Sequence, residues 1–322
     1  MTQVSDGGRV VAQHIAAAYR DNPNVQAVMV GGSVARGHAD HYSDLELGVF
    51  WSQPPSEAER KTAVTHVGGA LWSFTSYQTD PETVVTEQYG LDTLVINGHT
   101  YHGSLMISTN HLTVRALERY FTDVQEYHDT NLDKQMLLAA IQDGQALTGN
   151  ALLQTWQARA TIYPDRLAIK MVQENLWCGP WFVPQAYVER DDLVVLYQHF
   201  IWMQQSILKI LAGLNRVYYR SVEYKWMDGV IDRFTFAPPE LSVRMKQVFR
   251  EDPATGVRHM LELVRETIAL VEHHLPDVNR IAMIAAHPEI TTAWARKRWE
   301  VSAPYTLLTG IGAAINTMNG AG

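Results

Sequence analysis

The pattern of apolar and polar residues predicts one helix and two strands in the first fifty positions. Apolar residues recur at helical spacing over 11–19, and an Asp-Asn-Pro stretch at 21–23 ends that helix. The apolar run 25–30 predicts a buried strand that leads directly into residues 31–33. After a short polar loop, a second strand is predicted over 44–51. The chain therefore begins with a helix and two strands joined through a glycine-rich turn.

A hairpin is predicted farther along the chain. The β-prone runs 91–96 and 99–107 flank the dipeptide Asn97-Gly98, which is the strongest short signal for a two-residue hairpin turn. Such a turn fixes the pairing register, and regular alternation then puts His102 and Ser104 on the same face of the second strand. We expect this polar face to border a functional site.

Beyond residue 125 the pattern changes from strands to helices. Helical periodicity predicts helices over 136–148, 150–161, 165–176, 191–211 and 257–275. The helix that ends before Gly213 is apolar on nearly all sides, which is typical of the centre of a bundle. The sequence therefore predicts an α/β (α+β) fold: a small mixed β-sheet domain over residues 1–125, followed by an all-α helical bundle domain over residues 126–322.

Composition narrows the classes of partner. The chain has 322 residues and a formal net charge of -8, so it has no diffuse basic field that would attract nucleic acid. We expect no nucleic-acid partner and a small or cationic binding partner instead. No window reaches the roughly 18 apolar residues of a membrane span, and no signal peptide is evident, so a cytoplasmic location without a membrane partner is expected. A homodimer is left open.

Two carboxylates near the glycine-rich turn are the main candidates for chemistry. Asp44 and Glu46 stand two positions apart on a predicted strand, and they therefore point to the same side of it. Such a pair suits Mg²⁺, which prefers oxygen ligands and commonly binds one or two carboxylates together with substrate phosphates. The upstream glycines allow backbone amides to approach those phosphates.

These motifs resemble those of a known superfamily. Gly31-Gly32-Ser33, ten residues and then Asp44-x-Glu46 resemble the signature of polymerase-beta-type nucleotidyltransferases. The form Tyr42-Ser43-Asp44-Leu45-Glu46 is similar to that of the kanamycin-type aminoglycoside nucleotidyltransferases. The resemblance implies a nucleotidyltransferase catalytic domain in residues 1–125 and a helical second domain. It also implies transfer of a nucleoside monophosphate from a Mg²⁺-bound nucleoside triphosphate (NTP) to a hydroxyl, with release of pyrophosphate.

The resemblance assigns roles around the turn. Ser33 and the backbone amides around Gly31 and Gly32 would hold the β and γ phosphates of an NTP, for which ATP is our expectation, while the carboxylate pair would hold Mg²⁺. Arg36 is near enough in sequence to add a cationic contact to phosphate, although a solvated loop arginine is an equal alternative.

A third carboxylate that the superfamily supplies from a later strand is missing. Ser104 is predicted to stand in its place, with His102 two residues away. Three explanations stay open. A glutamate of the helical domain could act as the base, with Glu223 the first candidate and Glu174 and Glu189 behind it. His102 could take the proton instead, since neutral imidazole is a competent base near pH 7. Finally, the protein could bind nucleotide without transferring it.

A basic and aromatic segment, residues 215–226, is a second candidate region. It places Arg216, Arg220 and Lys225 among four aromatic residues, a composition suited to binding phosphate and stacking on a base or sugar, with Lys225 a candidate nucleotide contact. A helix–loop junction built of core and rim aromatics is the alternative interpretation.

Together these features predict a nucleotidyltransferase that uses Mg²⁺ and an NTP. Its acceptor is expected to be a small hydroxylated molecule, and an aminoglycoside-like antibiotic is the most specific hypothesis. Two other functions are kept: a nucleotide-binding regulatory protein whose catalysis has lapsed, and a protein-modifying nucleotidyltransferase of the antitoxin type.

Overall fold

A computed structural model describes residues 2–76, 83–96, 98–176, 184–220, 225 and 227–278. The chain forms two compact units. The sheet unit comprises Met1–Pro164 and Tyr218–Arg220, and the helical unit comprises Asp165–Val217 and Ser221–Gly322. The functional boundary predicted between residues 125 and 126 stays a prediction, because these units group residues by contact alone.

A mixed β-sheet organises the sheet unit. Its order is β3-β4-β5-β2-β1-β6, in which β2 and β5 run parallel and the other neighbours run antiparallel. The strands are β1 (Val25–Val30), β2 (Leu45–Trp51), β3 (Ala70–Phe74), β4 (Val85–Ile96), β5 (His99–Thr113) and β6 (Gln145–Thr148). The helices are α1 (Gln3–Ala16), α2 (Gly32–Arg36), α3 (Glu57–His66), α4 (Val114–Gln125), α5 (Leu132–Asp143) and α6 (Asn150–Ala160).

The described elements of the helical unit are all helices. They are α7 (Asp165–Asn175), α8 (Pro184–Glu189), α9 (Leu193–Leu214), α10 (Met227–Ile231), α11 (Leu241–Gln247) and α12 (Pro253–His274). The long helix α9 contacts α7, α8 and α12, as its largely apolar surface predicts. The predicted fold class, a mixed sheet with helices followed by a helical part, is confirmed. The helix predicted over 136–148 is wrong at its end, because α5 ends at Asp143 and Gln145–Thr148 form β6.

Alternation along β2 gives the sheet two different faces. Leu45, Leu47 and Val49 are buried in a core that also contains residues of α1 and α3. Phe50 points to the opposite face, where its ring lies 4.8 Å from the ring of Trp156 in α6. Glu46 shares this second face by the period of two. The core therefore anchors β2 from one side and leaves the carboxylate on the other.

A fully buried polar network stabilises the anchored face. The Arg60 guanidinium of α3 donates through Nε to the Glu87 carboxylate of β4, at 2.9 Å. The other Glu87 oxygen lies 2.5 Å from His111 Nε2 on β5, and Trp51 of β2 donates to His111 Nδ1 at 2.9 Å. One chain of hydrogen bonds thus links a helix and three strands in the interior.

The partners of His111 determine its protonation. The indole Nε1 of Trp51 is only a donor, so His111 Nδ1 must accept and carries no proton. The proton therefore resides on Nε2 and is donated to Glu87, which makes the imidazole neutral. Burial lowers the pKa of His111 below its ordinary value, against the opposing effect of the Glu87 carboxylate.

Replacing Glu87 with Gln should strongly destabilise the protein, because the buried Arg60 would lose its counter-charge. Removing one partner of a buried ion pair costs about 3–5 kcal/mol of unfolding free energy, measurable by urea denaturation. Glu57→Gln is the matched control. Glu57 lies on α3, the helix that carries Arg60, and pairs with Lys61 at 3.0 Å on its exposed side. Its change should be far smaller, because solvent screens exposed pairs. Equal losses in both variants would contradict the network's importance.

His111 should also make stability fall in mild acid. Its folded pKa is depressed, so below about pH 6.5 the unfolded chain binds a proton that the folded chain does not. This contribution is fully present above pH 6.5 and is lost as pH falls, by at most about 1.4 kcal/mol per pH unit. His111→Gln should flatten the pH dependence of unfolding free energy between pH 6.5 and 5. The exposed His102→Gln serves as control, and an unchanged slope in His111→Gln would refute the account.

Candidate active site

The turn after β1 is built on a glycine in the left-handed region. Gly32 has φ +58°, a conformation that costs a side-chain-bearing residue about 1–2 kcal/mol. Gly31 donates its backbone N–H to Glu46 O at 2.9 Å, and its own carbonyl accepts from Ala35 N at 3.1 Å. The first bond ties the turn to β2, and the second starts the short helix α2.

Glu46 lies directly against this turn. A Cβ placed on Gly32 would lie only 1.6 Å from Glu46 Oε2 and 2.6 Å from its Cδ. The space that any other residue would fill is thus occupied by a carboxylate. The antiparallel pairing of Val30 with Leu47 sets this approach, because it brings the end of β1 beside the start of β2.

Asp44 directly precedes β2 and is held by a hydrogen-bonded loop. Asp44 and Glu46 are both half-buried, whereas the intervening Leu45 is buried, as the predicted alternation requires. In the preceding loop, Asp40 accepts from Tyr42 N at 2.9 Å and from Ser43 Oγ at 3.0 Å. The Tyr42 N–H, followed by the Ser43 hydroxyl, lowers the pKa of Asp40. A charged Asp40 therefore stabilises the loop that presents Asp44.

The pairing of β5 with β2 shows which β5 residues lie opposite the carboxylate pair, where the missing third carboxylate was expected. In the parallel pairing, Glu46 lies opposite Ser108 and Leu45 opposite Ile107. Continuing this register by one residue places Asp44 level with Met106. The placement of Ser104 beside the carboxylate pair was wrong by a few residues, since the register of two strands so distant in sequence could not be inferred from either one.

A bulge also changes the predicted surroundings of His102. The hairpin is confirmed, with Ile96 opposite His99 and Gly98 at φ +78°. The register then shifts, because Leu91 pairs with Leu105 but Thr93 pairs with His102. Two residues of β5 therefore oppose one of β4, which breaks the alternation that put His102 and Ser104 on one face.

His102 is also distant from the carboxylate pair. It lies four residues before Met106 along β5, which corresponds to about 13 Å at the usual rise of a strand. A general base must lie within hydrogen-bond reach of the proton that it accepts, about 3 Å. Both His102 and Ser104 are exposed in the structure. Their predicted catalytic and nucleotide-binding roles have no geometric support here.

Arg36 is part of a cationic cluster that sequence analysis did not assemble. Its guanidinium lies 4.0 Å from the Asp143 carboxylate at the end of α5, and Asp143 also pairs with Arg220. Arg220 further donates to Gln142 Oε1 at 3.0 Å. Gln145, the β6 partner of Val30, donates to Ala35 O at 2.6 Å and keeps this cluster near the turn.

The remaining candidates belong to the helical part of the chain or lie outside the described residues. Glu223 lies outside them. Lys225 is exposed and belongs to the helical unit, as do Glu174, which lies 3.9 Å from Lys170, and Glu189 at the end of α8. Their roles stay predictions. Ser108 and Asp143 were missed because only strand register and helix packing bring them near the turn.

The donor set fits Mg²⁺ and a triphosphate. Asp44 and Glu46 supply hard carboxylate oxygens, and the lack of a side chain at Gly32 lets the Glu46 carboxylate lie directly against the turn. Ser33, which is buried, supplies a hydroxyl and a backbone amide at the same turn. Within the part of the chain that the structure describes, no group of three or more His, Cys, Asp or Glu is arranged to bind a metal ion.

Comparisons with known proteins give distant similarities. Residues 130–227 match a family model described as a domain of unknown function, DUF4037. No curated protein matches the sequence. Among the described helices, none combines the length and apolar character needed to cross a bilayer.

Two of the similar solved structures are of a nucleotidyltransferase-like protein and of a polymerase. The first, from Exiguobacterium sibiricum, is 12% identical over 85% of this chain and 80% of its own, with a TM-score of 0.39. The Cid1 poly(U) polymerase is 15% identical over 44% of this chain and 41% of its own, with a TM-score of 0.26. Cid1 in complex with the UTP analogue UMPNPP matches with the same values. The assignment of the site therefore rests on its geometry.

Replacing Gly32 with Ala should weaken Mg²⁺–nucleotide binding by more than its effect on unfolding free energy explains. The new Cβ would displace the Glu46 carboxylate, the predicted metal ligand, and changes that misorient a metal ligand typically cost about 10–100-fold in metal affinity. Gly68→Ala is the matched control, since Gly68 has φ +76° but nothing within 4 Å of its Cβ position. Both variants should lose about 1–2 kcal/mol of unfolding free energy from backbone strain. Calorimetric titration with Mg²⁺ and a non-hydrolysable ATP analogue should show weakened binding for Gly32→Ala alone, and equal affinities would contradict this geometry.

Proposed function

We propose that this protein is a nucleotidyltransferase of the polymerase-beta type, which moves a nucleoside monophosphate from a Mg²⁺-bound NTP to a hydroxyl of a small acceptor. The observation that carries the proposal is the close approach of the Glu46 carboxylate to Gly32, beside Asp44. This approach supports the proposal because it brings the turn that would accept phosphate beside a carboxylate that would hold Mg²⁺.

The chain's own residues position the substrate. The Ser33 hydroxyl and the backbone amides at Gly32 and Ser33 would donate to phosphate oxygens, and Asp44 and Glu46 would hold Mg²⁺. When bound, the metal neutralises phosphate charge and stabilises the leaving pyrophosphate. Arg36 lies three residues beyond Ser33, so its guanidinium would add positive charge on the side of α2. ATP as the preferred NTP stays a prediction.

The acceptor hydroxyl must lose its proton when it attacks the α-phosphorus. The β5 positions nearest to the pair hold Ser108 and Met106, neither of which is a base at neutral pH. Glu223, which lies outside the described residues, stays our predicted base. The sharpest acceptor hypothesis is an aminoglycoside-like polycation, which a chain of net charge -8 would attract.

A nucleotide-binding protein without transferase activity is the second candidate, and the absence of an acid at Ser108 and Met106 favours it. Calorimetry together with a pyrophosphate assay separates the two functions. Mg²⁺-dependent NTP binding without pyrophosphate release in the presence of acceptors would support the second candidate. Release that depends on the acceptor would support the transferase.

Asp44→Asn should abolish nucleotidyl transfer, because the amide removes one of the two negative charges that hold the metal. The assay incubates purified protein with Mg²⁺, each labelled NTP and a panel of aminoglycosides, lincosamides and proteins, and follows labelled product and pyrophosphate. Asp6→Asn, which neutralises a carboxylate of α1 that pairs with Arg9 at 3.6 Å, should keep full activity. A fully active Asp44→Asn enzyme would exclude the proposed metal ligands.

A further inference from the structure

A polar surface extends from the carboxylate pair across three strands of the sheet. Residues that pair directly in neighbouring strands point to the same face. Glu46 pairs with Ser108, Ser108 with Gln88, and Gln88 with Ser73. These four side chains therefore form one row on the face that carries the candidate site.

A second row runs beside the first and ends in an aromatic ring. Met106 of β5 pairs with Gly90 of β4, and the register of β5 on β2, continued by one residue, places Met106 level with Asp44. Gly90 presents no side chain, and Trp72 of the edge strand β3 lies there instead. A Cβ on Gly90 would lie 2.6 Å from Trp72 Cζ2 and 3.0 Å from Cε2. The indole therefore lies on the backbone of β4.

Trp72 is nevertheless open to solvent, with 57% of its surface exposed. An exposed indole fixed against a glycine is a preformed stacking surface, because its orientation is set before any ligand arrives. We call the surface formed by Met106, Ser108, Gln88, Gly90 and Trp72 the shelf. It lies within the sheet unit, next to Asp44 and Glu46.

The spacing of the strands sets the distance from the carboxylate pair to the far end of the shelf. Neighbouring strands lie about 4.8 Å apart, so Gly90, two strands from β2, lies roughly 10 Å from the strand that carries the carboxylate pair. A molecule whose reacting hydroxyl is at the pair and whose far end stacks on Trp72 must span that distance. Two or more linked rings would do so, whereas a single ring would not.

The charges on the shelf restrict the chemical class of the ligand that it can bind. None of the five shelf residues is Lys or Arg, and the carboxylates of Asp44 and Glu46 lie at its end. A phosphate backbone would find no cation along these residues, and nucleic-acid affinity depends on such contacts. The Ser108 hydroxyl and the Gln88 amide suit hydroxyl and amino groups, and the indole suits the flat face of a ring.

We propose that the shelf is the acceptor-binding surface of this protein, and that it takes an uncharged or cationic glycoside of at least two rings, with the ring farther from the carboxylate pair stacked on Trp72. This inference rests on the proposed function, since it names the acceptor of the same site. In this proposal, Trp72 favours acceptors that are long enough to reach it from the carboxylate pair.

The test measures binding to the full chain by calorimetry, with Mg²⁺ and a non-hydrolysable ATP analogue present. The probes are kanamycin, single-ring 2-deoxystreptamine and a short oligouridylate. Trp72→Ala should weaken kanamycin binding about tenfold, a typical effect of losing an aromatic stacking partner. Affinity for 2-deoxystreptamine and for the Mg²⁺–nucleotide should not change. Trp202→Ala, which removes a tryptophan 52% exposed on α9, is the matched control and should change none of them.

Gly90→Ala is a second variant that keeps the indole but pushes it off the strand, and it should weaken kanamycin binding in the same direction. Two results with the variants would overturn the proposal: kanamycin affinity of Trp72→Ala equal to that of Trp202→Ala, or an equal loss of nucleotide affinity in Trp72→Ala. Two results with the wild-type protein would also overturn it: binding of nucleotide without binding of kanamycin, or preference for the oligouridylate over kanamycin. Failure of the wild-type protein to bind Mg²⁺–nucleotide would instead contradict the proposed function, and Trp72-dependent kanamycin binding would then still support the shelf.

Discussion

The candidate site depends on one close approach, that of the Glu46 carboxylate to the backbone of Gly32. Any side chain at position 32 would displace that carboxylate, because a Cβ would lie 1.6 Å from Glu46 Oε2. The left-handed φ of Gly32 and the Gly31 N–H bond to Glu46 O come from the same turn. The amides proposed to bind phosphate and the carboxylate proposed to hold Mg²⁺ are therefore adjacent because the pairing of β1 with β2 and the glycine at position 32 bring them together.

The opposite face of the sheet keeps this approach rigid. The core beneath Leu45 and Leu47 fixes β2, and the hydrogen-bonded network from Arg60 through Glu87 and His111 to Trp51 holds β4, β5 and β2 in one register. A single shift of that register would turn Glu46 towards the core. The network thus acts on the site indirectly, by fixing which residues of β5 and β4 face the carboxylate pair.

Local features of the fold were predictable from sequence, and long-range pairings were not. The turn at Gly32, the alternation around Leu45 and the hairpin at Gly98 depend on neighbouring residues, whose patterns are visible in the sequence. The bulge near Gly103, the pairing of Glu46 with Ser108 and the contact of Arg220 with Asp143 depend on residues far apart. His102 and Ser104 were misplaced because the register of β5 on β2 decides which residues lie beside the carboxylate pair, and the bulge further breaks the alternation around them.

The most direct test of the account is a crystal structure of the full chain with Mn²⁺ in place of Mg²⁺ and a non-hydrolysable NTP, using anomalous scattering to locate the metal. The account predicts a metal peak bonded to carboxylate oxygens of Asp44 and Glu46, with the triphosphate against Gly32 and Ser33. A metal and triphosphate bound elsewhere, with Asp44 and Glu46 contacting neither, would contradict it.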